Sequence, residues 1–305
     1  MRHDTPTPIA HPREYFDLPS GKRGDADFVL SRGGLWDFTY CPQCFRLGGR
    51  YVDSDATGLK KGSMLDCLLL TPDLWDEMFV VSPWGDGPFS RGEKADWKRE
   101  QFRNGMTPYK PKERAEAEQM AERLRQHVIE AGVTLEDILA VSETQVMLTH
   151  LYRDDDSDTG IDLEDIFAHH GKPYLVATGL EIPLKILVDI APKNGNALFD
   201  LKGLRWPDPS KFERAVQWDD FGISLQAGMY TTVWNWATCQ DRSFWGWPVC
   251  GNEKPYLPAN HALEGRNLAI AQERFLIALR EYCHAVHNDK WPGLTTGWNR
   301  IELRR

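Results

Sequence analysis

The stretch VDIAPKNGNALFDLKG, residues 188–203, places an aspartate on either side of an Asn-Gly pair. Asn194-Gly195 favours a two-residue type I′ hairpin turn, because both central residues of that turn need positive φ. A turn centred there pairs Asp189 directly with Asp200. A four-residue loop centred on the same point preserves this register, so the hairpin is predicted for either loop length.

Side chains alternate between the two faces of a strand, so Asp189, Asp200 and Lys202 share one face of this hairpin. Directly opposed residues have Cβ atoms ~5 Å apart, so two carboxylates there repel each other and a positive partner is expected between them. Lys202 is one candidate, and a divalent cation such as Mg²⁺, Mn²⁺ or Ca²⁺ is the better one because these ions prefer oxygen ligands. The alternative is a solvated polar face on an edge hairpin. The opposite face is apolar, with Val188, Ile190, Phe199 and Leu201.

The composition is that of an ordinary globular protein, with 305 residues of which 41% are hydrophobic and 27% are charged. The net charge of −9 argues against a surface that coats nucleic acid, and leaves open a DNA-binding channel with a local basic lining. No apolar run approaches the length of a transmembrane helix, and the N-terminus lacks the apolar region of a secretory signal. The six cysteines then indicate reduced thiols, so we expect a cytoplasmic protein without membrane contact.

Hydrophobic periodicity predicts a series of helices and strands around the hairpin. Helices are expected over 30–49 with Ser31 as N-cap, 59–79 ending near Pro72, 111–132 closed by Gly132, 207–217 with the capping box Ser210–Glu213, 218–238 and 267–286. Strands are expected over 141–152, 174–190 and 243–257. Together these elements predict an α/β fold in which helices flank a small mixed central sheet of about four or five strands.

The predicted domain organisation is a polar, proline-containing N-terminal arm over residues 1–28 and a single domain over residues 29–305. Residues 153–172 are acidic and are interpreted as a loop insertion in this domain. Residues 90–114 are the most basic stretch of the chain, and both contact with a phosphate backbone and a solvated helix face remain open for them.

Three further charged residues have places that suit a site near the hairpin. Asp66 lies within the apolar run of the second helix, where a carboxylate is costly unless it is paired or metal-bound. A position on the narrow polar stripe of that helix is the alternative. Glu143 lies on a predicted strand, and Lys185 lies on the same strand face as Asp189.

Gln226 and Tyr230 are four residues apart on a predicted helix, so they lie one above the other on the same helix face. His150, His169 and His170 have no evident role and are interpreted as loop or surface residues.

The motifs follow one another in a specific order: a helical G-S-x-x-D, a strand glutamate, D-x₁₀-D-x-K on the hairpin and a helical Q-x₃-Y. In this order they resemble the PD-(D/E)XK nuclease superfamily. Within it, the chain is similar to the phage-type recombination exonucleases of the RecE (exonuclease VIII) group and to their lambda-exonuclease and RecB-nuclease relatives. The resemblance runs from about Ser31 to Leu294 and implies a restriction-endonuclease-like core.

Carried over residue by residue, the resemblance assigns the metal-binding acids to Asp189 and Asp200, with the carbonyl of Leu201 as a further ligand. The motif lysine falls on Lys202, which would orient the attacking water. Asp66 stands where relatives often have histidine, and an aspartate at this place can still bind a metal.

The resemblance also assigns residues around these acids. Glu143 matches a strand glutamate that lies near the metal site of relatives, and it is counted among the catalytic residues. Gln226 and Tyr230 match an element that positions the DNA backbone, and Lys185 is placed in the same DNA-binding group. The family pattern is broken before the first acid, where Val188 replaces the usual proline or arginine.

The implied activity is Mg²⁺-dependent release of nucleotides from the ends of linear double-stranded DNA, with Mn²⁺ as a substitute for Mg²⁺. The expected polarity is 5′ to 3′, in the service of phage-type recombination. The resemblance further implies a homo-oligomeric ring, a single-strand annealing protein as partner, and a location in the cytoplasm of a bacterial host.

Three alternatives remain open. Cas4-like or RecB-like nucleases share the same core and often carry an iron–sulfur cluster on four cysteines, for which Cys41 and Cys44 would supply a C-x-x-C. A catalytically silent DNA-binding or scaffold module is disfavoured because Asp189, Asp200 and Lys202 are all intact. The third alternative is an unrelated metal-binding fold.

Overall fold

The computed structural model of the chain describes residues 7–9, 11–48, 57–89, 91–155, 162–205, 207–218 and 222–293. Its strands are, in chain order, β1 Thr7–Pro8, β2 Phe79–Val81, β3 Thr107–Tyr109, β4 Val128–Glu130, β5 Val133–Thr134, β6 Ser142–Arg153, β7 Glu181–Pro192, β8 Ala197–Phe199, β9 Lys202–Leu204, β10 Phe244–Gly251 and β11 Pro258–Glu264. Its α-helices are α1 Arg13–Phe16, α2 Arg32–Tyr40, α3 Pro42–Arg46, α4 Thr57–Leu70, α5 Trp75–Met78, α6 Glu93–Arg103, α7 Pro111–Arg125, α8 Leu135–Ala140, α9 Leu163–His169, α10 Pro209–Gln217, α11 Ile223–Thr238 and α12 Gly265–Asn288.

The central sheet has seven strands in the order β1-β6-β7-β8-β10-β11, with β9 also paired to β10. The pairs β1–β6, β6–β7, β7–β8 and β10–β11 are antiparallel, whereas β8 and β9 run parallel to β10. The sheet is therefore mixed, as predicted, and larger than the four or five strands expected. Strand β11 accounts for part of the difference, because its sequence has no apolar alternation strong enough to predict it.

The hairpin formed by β7 and β8 has the predicted register. Ile190 pairs with Phe199, which places Asp189 opposite Asp200. The two strands are joined by four residues, 193–196, rather than by a two-residue turn. The four residues of the predicted apolar face are all buried. They divide between two clusters, because Val188 packs with α11 and α12, whereas Ile190, Phe199 and Leu201 pack with α4 and α7.

Strand pairing is interrupted at Asp200 and Leu201, between β8 and β9. The parallel register against β10 is the same on both sides of this gap, with Phe199 beside Gly246 and Lys202 beside Val249. In that register residue 248 would donate its backbone N–H to the carbonyl of Asp200, and Pro248 has no N–H to donate. The Asp200 N–H still donates to the Gly246 carbonyl at 3.0 Å, so the proline removes the strand partner of the Asp200 carbonyl alone.

Helices cover both faces of the sheet. Alternate residues of β10 divide between two apolar clusters, with Trp245 and Trp247 in the cluster that includes α11 and α12. Cys250 belongs to the cluster formed with α4 and α7. Because successive strand residues point to opposite faces, α11 and α12 lie on one face and α4 and α7 on the other.

Two predicted helix boundaries are wrong. Helix α7 ends at Arg125, and Gly132 lies instead in the turn between β4 and β5, where its φ of +85° favours glycine. Helix α10 is capped by Asp208, whose side chain accepts the Lys211 N–H at 3.2 Å. Ser210, the predicted cap, donates its hydroxyl to Asp208.

Two predicted surface segments include ordered elements. Part of the N-terminal arm joins the sheet as β1, and Tyr15 of the same arm is buried. The acidic segment 153–172 contains α9, while its residues 156–161 lie outside the described part of the chain. No helix of the described residues is long and apolar enough to cross a membrane.

Candidate active site

Asp189 is held by two donors from different strands. Its Oδ1 accepts a hydrogen bond from the Gln145 carboxamide at 3.1 Å, and its Oδ2 accepts the backbone N–H of Leu201 at 2.9 Å. Gln145 lies on β6, and Leu201 lies in the gap between β8 and β9. The carboxylate is therefore fixed across three neighbouring segments of the sheet.

Asp200 is almost completely buried and is also held on both oxygens. Its Oδ1 accepts a 2.6 Å hydrogen bond from the Gln226 carboxamide on α11, and its Oδ2 contacts the ammonium group of Lys202. That ion pair supplies charge compensation, yet Oδ2 makes no well-aligned hydrogen bond. A buried carboxylate oxygen in this condition is an available ligand for a cation.

Asp66, from α4, belongs electrostatically to the same group. Burial raises its pKa to about 7; the nearby Lys202 acts in the opposite direction, and the Asp200 charge adds to the increase. Burial likewise raises the pKa of Asp189 well above its usual range, and Asp200 and Asp66 increase it further. The charge of Asp200 thus opposes ionisation of both Asp66 and Asp189, and the charge of Asp66 opposes ionisation of Asp189.

The donor set fits a divalent cation. Three carboxylates face one Lys202 ammonium, which leaves negative charge that a hard cation would balance, and carboxylate oxygens are the ligands that Mg²⁺ and Mn²⁺ prefer. The carboxylate oxygens of Asp66, Asp189 and Asp200 do not all lie within 4.8 Å of one another. Among the described residues, only His169, His170 and Glu273 form a group of three that meets this distance. An incomplete protein cage agrees with Mg²⁺, which keeps several water ligands.

The structure adds Gln145 to the predicted site. Residues 144 and 146 pair with residues 190 and 188, so residue 145 lies opposite Asp189 in the register of β6 and β7. Gln145 has a φ of +50°, a conformation that is rare for residues with a side chain and that often occurs at functional sites. Glu143, the predicted catalytic glutamate, pairs with Ala191 further along the strand. No hydrogen bond or ion pair among the described residues joins Glu143 to the aspartates.

Tyr230 lies near the two hairpin acids, and the arm residue Tyr15 contacts both Tyr230 and Lys185. Burial raises the pKa of Tyr230 to about 12, with added repulsion from Asp200 and Asp189. Lys185 donates its ammonium group to the Tyr15 carbonyl at 2.8 Å and lies 4.6 Å from the centre of the Tyr15 ring. The predicted DNA-contacting lysine is thus enclosed by the N-terminal arm in this conformation.

Gln226, which the sequence resemblance places against the DNA backbone, contacts the second acid directly. Leu201 contacts the first acid through its N–H. The DNA contact of Gln226 and the metal contact of the Leu201 carbonyl stay predictions. The basic stretch forms α6 and the strand after it, and its lysines lie over aromatic rings: Lys94 over Trp84, Lys98 over Phe89 and Phe102, and Lys110 over Phe89.

The cysteines give no geometric support to an iron–sulfur cluster. Cys41 caps α3 by accepting the Cys44 N–H at 3.2 Å, while Cys250 and Cys283 are buried in separate apolar clusters.

No protein-family model matches the chain, and no curated protein matches it. The fold is similar to the crystal structure of a "Putative exonuclease" from Eubacterium rectale, over 97% of this chain and 96% of the other. The TM-score is 0.52 and the sequence identity is 14%, so the likeness concerns the fold. The predicted fold class, a mixed central sheet flanked by helices, is confirmed, and the chain shares its overall fold with that structure.

Proposed function

We propose that this chain is a metal-dependent nuclease, and more specifically an exodeoxyribonuclease that degrades linear double-stranded DNA from its ends. The observation that carries the proposal is the opposition of Asp189 and Asp200, with Lys202 in contact with Asp200 and Asp66 nearby. The fold shared with a chain that is named for exonuclease activity supports it.

Asp189 and Asp200 would hold the metal, and their oxygens are positioned in advance by Gln145, Gln226 and the backbone N–H of Leu201. When bound there, Mg²⁺ or Mn²⁺ would polarise the scissile phosphoryl group and neutralise the charge that develops during hydrolysis. Preorganised ligands favour this role because little rearrangement is needed at the moment of reaction.

Lys202 and Asp66 would act on the attacking water molecule. The Lys202 ammonium offers several N–H donors beside the acid pair, so it would orient the water towards phosphorus. Asp66, whose carboxylate lies close enough to interact with Lys202 and Asp200, would accept a proton from that water or bind the metal.

The finer features of the proposal rest on the sequence resemblance. They are the 5′ to 3′ polarity, a ring of subunits around the DNA, a single-strand annealing protein as partner and a role in phage-type recombination. The covering of Lys185 by Tyr15 adds one expectation, namely that the N-terminal arm moves if Lys185 contacts DNA.

The test is digestion of a linear duplex labelled separately at each 5′ and 3′ end, with Mg²⁺ or with EDTA. A covalently closed circle of the same sequence serves as a substrate without ends. We expect Mg²⁺-dependent loss of the 5′ label first, with the circle intact. Substitution of Asp200→Asn or Lys202→Ala should abolish the loss, whereas Lys193→Ala, an exposed lysine in the loop of the same hairpin, should digest like the wild type.

Other results would overturn parts of the proposal. Cleavage of the circle would make the protein an endonuclease. Undiminished digestion by Asp200→Asn would exclude the hairpin acids from catalysis. A folded wild type that binds the duplex without cleaving it under any of these conditions would favour the silent DNA-binding module.

A further inference from the structure

Two adjacent histidines and a glutamate converge where the acidic segment meets α12. Nδ1 of His169 lies 3.4 Å from Oε2 of Glu273, and Nε2 of His170 lies 2.8 Å from the same oxygen. The three ligand atoms all lie within 4.8 Å of one another. His169 is exposed and the other two are half-buried, so an ion can reach the cluster from solvent.

The two sides of the cluster are held together by contacts that do not involve it. His169 is the last residue of α9 and His170 is its C-cap, so both rings lie at the same helix end. The chain then follows α12 for several residues. Three polar contacts fasten it there: Lys172 with Glu281 at 2.6 Å, Arg280 with the Leu175 carbonyl at 2.6 Å, and His284 with the Val176 carbonyl at 2.6 Å.

We propose that His169, His170 and Glu273 form a second metal site, which takes a transition-metal ion, best Zn²⁺, and links α9 to α12. Two imidazoles and one carboxylate with an open fourth position are a ligand set typical of Zn²⁺. Zn–N and Zn–O distances near ~2.0 Å place tetrahedral ligand atoms about 3.3 Å apart. The distances of 3.4 Å and 2.8 Å to Glu273 approach that spacing, and the exposed His169 ring is free to complete it by rotation.

The ligand chemistry separates this site from the acid cluster. Carboxylate oxygens at Asp66, Asp189 and Asp200 suit Mg²⁺ or Mn²⁺, whereas imidazole nitrogens suit Zn²⁺ and its neighbours. Without an ion, the imidazole rings of His169 and His170 each contact the Glu273 carboxylate. Zn²⁺ binds unprotonated imidazole nitrogens, so its binding would weaken at low pH, where protons compete for them. The site does not depend on nuclease activity.

The test is calorimetric titration of Zn²⁺ into the full chain, free of any histidine tag, in excess Mg²⁺ so that the acid cluster is occupied. We expect one Zn²⁺ per chain, and at least tenfold weaker binding in both His170→Gln and Glu273→Gln. Two controls should bind Zn²⁺ like the wild type: His287→Gln, an exposed histidine on the same helix, and Cys44→Ser, which removes the competing thiol.

Thermal unfolding gives a second readout that separates loss of the site from loss of the fold. Zn²⁺ should raise the Tm of the wild type and of His287→Gln, and should leave the Tm of Glu273→Gln unchanged. The inference is wrong if Zn²⁺ binds Glu273→Gln as tightly as the wild type, if Cys44→Ser loses the binding, or if the wild type takes up no Zn²⁺ in excess Mg²⁺.

Discussion

Gln145 on β6 donates a 3.1 Å hydrogen bond to Asp189 on β7, and its backbone has a φ of +50°. The same arrangement recurs on the other acid, where Gln226 donates to Asp200 at 2.6 Å. A carboxamide can donate without adding charge, so it positions an acid and leaves the negative charge available to a cation. The site thus combines carboxylates, the ligands that we propose for a cation, with neutral carboxamides that position them.

Replacing Gln145 tests its positioning role. Gln145→Ala and Gln145→Gly both remove the carboxamide, and each should lower Mg²⁺-dependent activity by roughly 10-fold to 100-fold, as is usual for residues that orient ligands. Glycine tolerates positive φ without strain, so the free energy of unfolding of Gln145→Gly should exceed that of Gln145→Ala by about 1 kcal/mol. The urea midpoint of Gln145→Gly should be correspondingly higher. Full activity in both variants would exclude the positioning role. Equal urea midpoints would show that the backbone at residue 145 is unstrained.

Asp66 should make the stability of the metal-free protein depend on pH. Its pKa is about 7 in the folded protein, against an ordinary value of 3.8. Between those pH values the folded state holds a proton that the unfolded chain has lost, so the free energy of unfolding should fall as pH rises towards 7. Each unit of pH within that window removes up to about 1.4 kcal/mol. Urea unfolding in EDTA from pH 5 to pH 8 measures this slope.

Asp66→Asn should flatten the slope without abolishing it, because the pKa of Asp189 is raised in the same direction. The matched control is Asp137→Asn, since hydrogen bonds from Thr134 lower the pKa of Asp137. Asp137 therefore titrates below this pH range. The free energy of unfolding of Asp137→Asn should change with pH by the same slope as that of the wild type. A slope that Asp66→Asn leaves unaltered would contradict the assignment.

Local chemistry makes part of the site predictable from sequence. Turn residues and strand alternation determine the pairing of Asp189 with Asp200, and helical periodicity places Asp66 on a helix that lies among apolar residues. The Gln145 contact is different in kind. It depends on which residue of β6 lies opposite Asp189, and that register is a long-range property that periodicity within one strand does not contain.

The same distinction explains the other differences. Register also decides where Glu143 lies: it pairs with Ala191, two residues from Asp189, and its catalytic role stays a prediction. The packing of Tyr15 over Lys185 joins residues that are 170 positions apart, and no local pattern predicts such a contact. The N-cap of α10 is a different kind of difference, because it is local. Asp208 and Ser210 are both residue types favoured at an N-cap, and only the backbone geometry decides between them.

The buried ion pair between Asp154 and Arg280 should be the most sensitive polar contact in the fold. Both side chains are completely buried, with Nε of Arg280 2.5 Å from Oδ1 of Asp154. Thr178 supplies two further donors to Asp154, at 2.9 Å and 2.6 Å. Asp154→Ala leaves a buried guanidinium unpaired and should cost about 3–5 kcal/mol in urea unfolding.

The control for Asp154 is its neighbour Arg153, which forms an exposed ion pair with Glu181. Arg153→Ala should cost less than about 1 kcal/mol. Replacing both buried partners, Asp154→Leu with Arg280→Met, should cost less than the two single substitutions together, because neither charge is left alone. A small effect of Asp154→Ala would show that solvent reaches the pair.

The approach of α11 to α12 should depend on the absence of a side chain at residue 228. A Cβ added at Gly228 would lie 2.1 Å from the backbone oxygen of Ala271, far inside contact distance. Because the obstacle is backbone, the helices themselves must separate, and Gly228→Ala should destabilise the protein by about 3 kcal/mol.

The control is Gly62, on α4, which has nothing within 4 Å of an added Cβ. Gly62→Ala should therefore stabilise the protein by roughly 0.5–1 kcal/mol through helix propensity alone. Urea unfolding of the two variants side by side tests the contrast, and a Gly228→Ala protein as stable as Gly62→Ala would mean that the two helices adjust at little cost.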